Sequence, residues 1–364
     1  MNQFILSAGD VSEEKLAQIE QPARALPEYG AFVISLDFEL HWGVRDHATV
    51  DGPYRANLLG ARVAVEEMLR LFADYGVHGT WAVVGFLFAR NRDELRASWP
   101  AERPTYLDRS LDPYVEPVGE GESDDPLHYA PSLIQLIQDS DGQELATHTY
   151  SHYYCKAPGQ LASAFAADLS SARAIAGRSG VALRSIVFPR NQHNPSYDEV
   201  LCRADIRTYR GYAKTWMYRE NGSLQGFARA ARLIDAYVPL NDGSVGWDEI
   251  VQPNGLNDVA ASMFLRPVRK RASLLSRMRL RRIQRLITRA AQRRRIAHLW
   301  WHPHNFGVQT EENVAFLREI LETYRKCAKL YGMKSLTMSE VGDCVTSNSG
   351  SSEEFDTISR PRSF

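Results

Sequence analysis

Apolar residues recur along the chain in two registers. Short unbroken runs rich in β-branched and aromatic residues alternate with longer stretches in which apolar positions return every three or four residues. The first kind reads as buried strands, the second as helices facing a core. AFVISLDFEL (31–40) predicts a strand ending in carboxylates, and RVAVEEMLRLFADYG (62–76) a helix capped by its final Gly. VHGTWAVVGFLF (77–88) predicts a second strand and turn, APSLIQLIQD (130–139) a short helix, and GQELATH (142–148) a third strand. QLASAFAADLSSARAIAG (160–177) is helical in period; LRSIVFPR (183–190) and IRTYRG (206–211) predict a fourth and a fifth strand. A last apolar strand, IAHLWWH (296–302), precedes the helix EENVAFLREILETYRKCAKLYG (311–332).

Strand and helix in alternation predict a parallel α/β sheet or barrel, in which chemistry sits at the C-terminal ends of the strands. Those ends carry Asp37 and Glu39, then His148, then Arg190, then His302. One domain over 30–345 is expected, after a lead-in at 1–29. Residues 91–130, rich in Pro, Asp, Glu and Gly, read as an inserted loop, and 346–364 have the composition of a disordered tail.

Asp37 and Glu39 lie two apart, so on a strand they share a face. Such a pair can hold a cation or divide into base and ligand, and it can also be a solvated strand end. His148 and His152, four apart in THTYSH, have the spacing of ligands converging on one ion, a spacing that also arises by chance. His302 and His304 in WWHPHNFG fit a packed aromatic corner or an acid at a pocket mouth with sugar-stacking aromatics. The chain has no G-x-G-x-x-G, P-loop, G-x-S-x-G or paired C-x-x-C, which removes support from nucleotide hydrolysis, serine-hydrolase chemistry and zinc ribbons.

Together these segments resemble the polysaccharide deacetylase family, the NodB-homology group (carbohydrate esterase family 4). His148-Thr149-Tyr150-Ser151-His152 matches its H-[ST]-x-x-H motif, GTWAVVGFLF is similar to its Ala-Thr-Phe-Phe-Val-x-Gly segment, and SLDFE and HLWWHP occupy its first and last motif positions. The resemblance implies a distorted (β/α) barrel of about seven parallel strands and metal-dependent removal of an N-acetyl group from a sugar. It implies Asp37 as general base, Glu39, His148 and His152 as ligands of a divalent ion (Zn2+, or Co2+, Mn2+ or Ni2+), and His302 as acid. Phe38 stands where the common first motif has a second aspartate, so Glu39 is the ligand of a D-x-E branch. FPRNQ replaces the usual R-x-P-x-G, with Arg190 expected to orient Asp37. Trp42, Asn191, Trp301 and His304 are the expected substrate contacts. Hydrolysis of another amide or ester, and a non-catalytic carbohydrate-binding relative, are the alternatives.

Composition adds three points. The chain is 44% hydrophobic and 24% charged, ordinary for a globular protein. Four scattered cysteines and a start, MNQFILSAGDVSEEK, without the features of a signal peptide predict a cytoplasmic protein. Of the 43 Lys and Arg, 13 fall in residues 266–295, which hold no acidic residue; elsewhere 30 basic residues face 44 acidic ones. This stretch predicts an amphipathic helix with Leu275, Leu280, Ile283, Leu286, Ile287 and Ala290 on one face. Arg277, Arg281, Arg282, Arg285 and Arg289 fall on the other, with Arg279 out of place. Its cationic face is either solvated or docks to anionic lipid or a phosphate carrier at the inner membrane face; no nucleic-acid partner is expected. The expected substrate is accordingly a carrier-linked acetylated sugar of glycan or exopolysaccharide biosynthesis.

Overall fold

All eight residues of the first strand, β1 (Ala31–Phe38), are buried. A central parallel strand is covered on both faces, so its sequence is apolar without alternation. The computed structural model describes residues 26–212, 243–268 and 274–346. The predicted lead-in and tail fall almost wholly outside these.

After β1 come α1 (Arg55–Tyr75), β2 (Gly79–Val83), α2 (Arg92–Ala97), α3 (Pro131–Gln138), β3 (Gln143–Thr147) and α4 (Ala162–Arg178). Next are β4 (Ser185–Ile186), α5 (Asp198–Arg203), β5 (Thr208–Tyr209), β6 (Asn257–Asp258) and β7 (Met263–Phe264). The helix α6 (Leu274–Gln292), β8 (Ile296–Trp301), α7 (Thr310–Tyr331), β9 (Lys334–Ser335) and α8 (Met338–Thr346) complete the order. The sheet runs β6-β5-β4-β3-β2-β1-β8-β7, with β9 paired to the start of β1, and all these pairings are parallel.

The two ends of that order belong to one bent segment. Asn257 N, Val259 N and Ala261 N donate to Arg207, Tyr209 and Gly211 carbonyls beside β5. Immediately after these, Ser262 N and Leu265 N donate to His298 and Trp300 carbonyls of β8. Residues 257–265 thus form a seam that closes the sheet into a barrel. Counting the seam once and setting β9 aside, the barrel has the expected seven strands or so. The sequence pattern does not single the seam out, because its pairing changes partner midway and no run of regular strand is long enough.

Helix α1 begins at Arg55, ahead of the predicted start at 62. Its early turn contains Gly60, a poor helix former on which a Cβ would stand 1.8 Å from Gly307 O. The missing side chain lets the helix touch the turn that follows β8. Gly76, at φ 59°, ends the helix as predicted. Residues 91–130 are mostly turns but open with α2, capped by Asn91 accepting from Glu94 N.

The amphipathic reading of α6 needs correcting at two positions. Ile283, Leu286, Ile287 and Ala290 are buried as predicted, but Leu275 is 55% exposed and Arg282 is buried. Arg279 turns inward, donating to the Pro267 and Arg266 carbonyls, which satisfies a guanidinium on the packed side. Among the described residues no helix is long and apolar enough to cross a membrane.

Candidate active site

Asp37 is the penultimate residue of β1, and Glu39 directly follows the strand. Both are buried, at 3% and 4% exposure. Glu39 Oε2 lies 3.3 Å from His148 Nε2 and 3.2 Å from His152 Nε2. The three expected metal ligands therefore converge on one point, supplied by the ends of β1 and β3.

The segment after β3 is held in an unusual conformation. Thr149 and His152 have φ of 64° and 56°, left-handed values that cost energy in a β-branched residue and in His. Asp168 of α4, fully buried, offsets that cost by accepting from Tyr150 N at 2.7 Å, from Ser151 N at 3.2 Å and from Ser151 Oγ. Thr149 Oγ1 donates to His148 O and accepts from Tyr153 N. Burial pushes the Asp168 carboxyl up to about 7 against these three donors. The turn brings His152 back beside His148, so that their ring centroids are 5.0 Å apart.

Arg210 is the main residue that the sequence reading missed. It donates to Asp37 Oδ1 at 2.7 Å and Oδ2 at 2.8 Å, and to Ser35 Oγ at 2.9 Å. Burial raises the Asp37 pKa, but the Arg210 guanidinium, followed by the His148 and His302 imidazoles, outweighs it and holds the carboxyl below its ordinary range. Burial likewise opposes ionisation of Glu39, whose carboxyl nevertheless sits well below the usual range, with the neighbouring His302 the largest influence that lowers it. Burial pushes His152 down to about 4, so it stays neutral at physiological pH, as a metal ligand must.

Arg190 does not orient Asp37. It pairs with Asp46, lies over the Tyr154 ring at 4.1 Å, and has 42% of its side chain exposed. Arg190 and Asn191 are both left-handed, and this turn sends the neighbouring Asn191 inward. Asn191 Oδ1 accepts from Arg210 Nε at 3.0 Å and Nη2 at 2.7 Å, so it braces the arginine. Arg210 is the penultimate residue of the predicted fifth strand, a position like those that marked the other site residues.

His302 stands at the rim, 22% exposed, with Nε2 3.8 Å from Asp37 Oδ2 and 3.5 Å from Glu39 Oε1. His304 stacks on it with centroids 4.8 Å apart but is itself buried, its pKa pushed down to about 3 by burial and by His302. Trp301 is fully buried against Phe306, and Trp42 is 1% exposed, donating to His128 O. None of these three reaches the rim, which corrects their expected contact with substrate. Trp300 does: it is partly exposed, under the Arg210 guanidinium at 4.3 Å and 5.6 Å from the His302 ring. On β8, His298, Trp300 and His302 alternate toward the site while Leu299 and Trp301 face the helices.

The site passes a chemical test for a cation. His148 Nδ1 is 2.8 Å from Val187 O, and a carbonyl can only accept, so this nitrogen carries the proton. In the neutral imidazole Nε2 is then a bare acceptor; it is buried without a hydrogen-bond partner and faces the Glu39 carboxylate. Two acceptors at that distance repel unless a cation lies between them. Donors about 2.0–2.2 Å from a tetrahedral ion stand roughly 3.3–3.5 Å apart, close to the spacing seen here.

Fold and site together define an α/β barrel whose strand ends gather carboxylates and imidazoles able to hold a metal ion. That barrel has the polysaccharide deacetylase fold. A Mycobacterium smegmatis protein, provisionally described as a polysaccharide deacetylase, is similar at TM-score 0.55 and 14% identity, with 94% of this chain and 97% of that one covered. The family 4 carbohydrate esterase of Streptomyces lividans is similar at TM-score 0.37 and 11% identity over 84% of this chain and 90% of that one. A family 4 pseudoenzyme of Bacillus anthracis gives 0.40 and 12% over 90% of this chain and 78% of that one. No family sequence model and no curated protein matches the chain.

Proposed function

We propose that the chain is a metal-dependent hydrolase of the carbohydrate deacetylase family that removes an N-acetyl group from a sugar. The observation that carries this reading is the convergence of Glu39, His148 and His152 beside an Arg210-clamped Asp37. Glu39, His148 and His152 would hold the ion, for which the neutral imidazoles and the carboxylate suit Zn2+ best. Such an ion supplies a water of lowered pKa, near 7, and polarises the amide carbonyl.

The chain's own groups divide the proton work. Asp37, kept ionised by Arg210, accepts the proton of the attacking water. His302, at the rim, gives a proton to the departing amine, which is otherwise a poor leaving group. Water is consumed, the C–N bond breaks, and acetate and the amino sugar leave. Trp300 supplies an apolar face for a sugar ring beside His302.

The exposed Arg281, Arg285 and Arg289 of α6 line a shallow groove of about 360 Å³, and this cationic stripe supports a carrier-linked substrate. The carrier would be presented at the cytoplasmic membrane face. Sedimentation with anionic liposomes at low salt, lost in an Arg281→Glu/Arg285→Glu variant, tests this part.

The central experiment is acetate release from a panel of free and carrier-linked N-acetyl sugars, after chelation and after Zn2+ is restored. Release that needs the metal and is lost in Asp37→Asn is expected. Release unchanged in Asp37→Asn would overturn the assignment of the base.

A further inference from the structure

A second group of ligand-type side chains lies outside the candidate active site. His41 sits in the turn Leu40–Gly43 directly after Glu39, while Glu116 and His128 come from the inserted segment 91–130. Both imidazoles are 1% exposed. One donor atom from each of the three residues falls within 4.8 Å of the others. His41 Nε2 is 3.2 Å and His128 Nε2 3.8 Å from Glu116 Oε1.

The proton position on His128 repeats that on His148, while His41 Nε2 is within hydrogen-bond distance of Glu116. His128 Nδ1 lies 2.8 Å and 2.9 Å from the two Asp125 carboxylate oxygens, so Nδ1 is the donor. The ring's other nitrogen, Nε2, is buried with no hydrogen-bond partner and points toward Glu116, too far for a hydrogen bond. A carboxylate behind a histidine whose free nitrogen faces another ligand is the outer-shell arrangement that fixes metal-bound imidazoles. Glu116 also lines a cavity of about 370 Å³ together with Trp42 and Trp99.

We propose that His41, Glu116 and His128 bind a second divalent cation of the zinc type. It pins the inserted segment to the turn that follows Glu39. Three protein ligands leave one tetrahedral position for water. The segment it fixes packs in turn on the chain after His152: Tyr106 Oη accepts from Tyr154 N at 3.0 Å, and Leu107 N donates to Pro158 O at 3.2 Å. The ion would brace both sides of the active site without taking part in hydrolysis, and its presence does not depend on the hydrolase reading.

The test uses the full chain, stripped with chelator, reloaded with Zn2+, desalted and assayed for metal per chain and for melting temperature. A His148→Ala/His152→Ala protein is expected to keep one Zn2+, to melt higher with it than without, and to lose it when Glu116→Gln is added. Asp125→Asn, which changes the outer partner of His128 and keeps an oxygen to accept from Gly119 N, should weaken this binding by about 10–100-fold. Should the His148/His152 variant not fold, Glu116→Gln is compared directly with wild type. One Zn2+ fewer supports the site; equal metal content, or no Zn2+ in a folded His148→Ala/His152→Ala protein, overturns it in favour of an ion-free carboxylate–imidazole network.

Discussion

Arg210 grips Asp37 through both terminal guanidinium nitrogens, at 2.7 Å and 2.8 Å, from 173 residues away in the chain. Both side chains are out of solvent, so neither charge has water to fall back on. Removing one partner of a buried pair leaves the other uncompensated, at a cost of about 3–5 kcal/mol. Arg210→Leu should lose about that much unfolding free energy in urea. The acid limb of its pH–rate profile should also move to higher pH, since Asp37 loses the main group holding its carboxyl low. An unmoved acid limb in a folded variant would remove Asp37 as the titrating base.

Trp300 and Trp301 are adjacent but face opposite sides of β8, and replacing each by Ala should separate two effects. Trp301→Ala empties a fully buried site and should cost about 3–5 kcal/mol of stability. Trp300→Ala should leave stability much closer to wild type and raise KM for the sugar. Calorimetry and steady-state kinetics on the pair check this; similar stability losses with an unchanged KM for both would refute the facing assigned here.

Asp168 organises the left-handed turn that carries His152. Asp168→Ala leaves Tyr150 N, Ser151 N and Ser151 Oγ without their acceptor, at about 1–3 kcal/mol for each group that water does not reach. The expected result is a lower melting temperature together with weaker metal binding, because the strained conformation at Thr149 and His152 is no longer enforced. Metal affinity equal to wild type would show that the turn holds without its acceptor.

His298 gives a pH prediction with a definite sign. Nδ1 is 2.9 Å from Val259 O and Nε2 is 2.8 Å from Ser35 Oγ; burial, then Arg210, push its pKa from 6.5 down to about 3. A histidine depressed in the folded state contributes stability that is full above pH 6.5 and is lost as pH falls, because only the unfolded chain takes up the proton. His298→Gln has no such group. The stability gap between wild type and variant should therefore shrink by about 2–3 kcal/mol between pH 7.5 and pH 4.5. Urea midpoints at the two pH values measure it, and a constant gap would contradict it.

Much of this architecture is legible in the sequence for a physical reason. β1, β2, β3 and β8 are long enough to leave apolar runs, and their C-terminal ends announce Asp37, Glu39, His148 and His302. What was missed depends on contacts between distant segments. Arg210 directly follows a strand of only two residues, and nothing local tells an arginine bound to a carboxylate from one in solvent. A strand buried on both faces carries no alternation, which is why Trp301 and not Trp300 was expected at the site. His41 and His128 are 87 residues apart and meet only once the inserted segment has folded back.

The barrel seam has a consequence for how activity and folding are joined. Val259, in the seam, accepts from His298; His298 binds Ser35; Ser35 accepts from Arg210; and Arg210 holds Asp37. The proton acceptor of the proposed reaction is thus wired by hydrogen bonds to the segment whose docking shuts the sheet. A chain still open at that seam would have an unset base, so turnover would serve as a sensitive reporter of ring closure and an incompletely assembled molecule would be chemically silent.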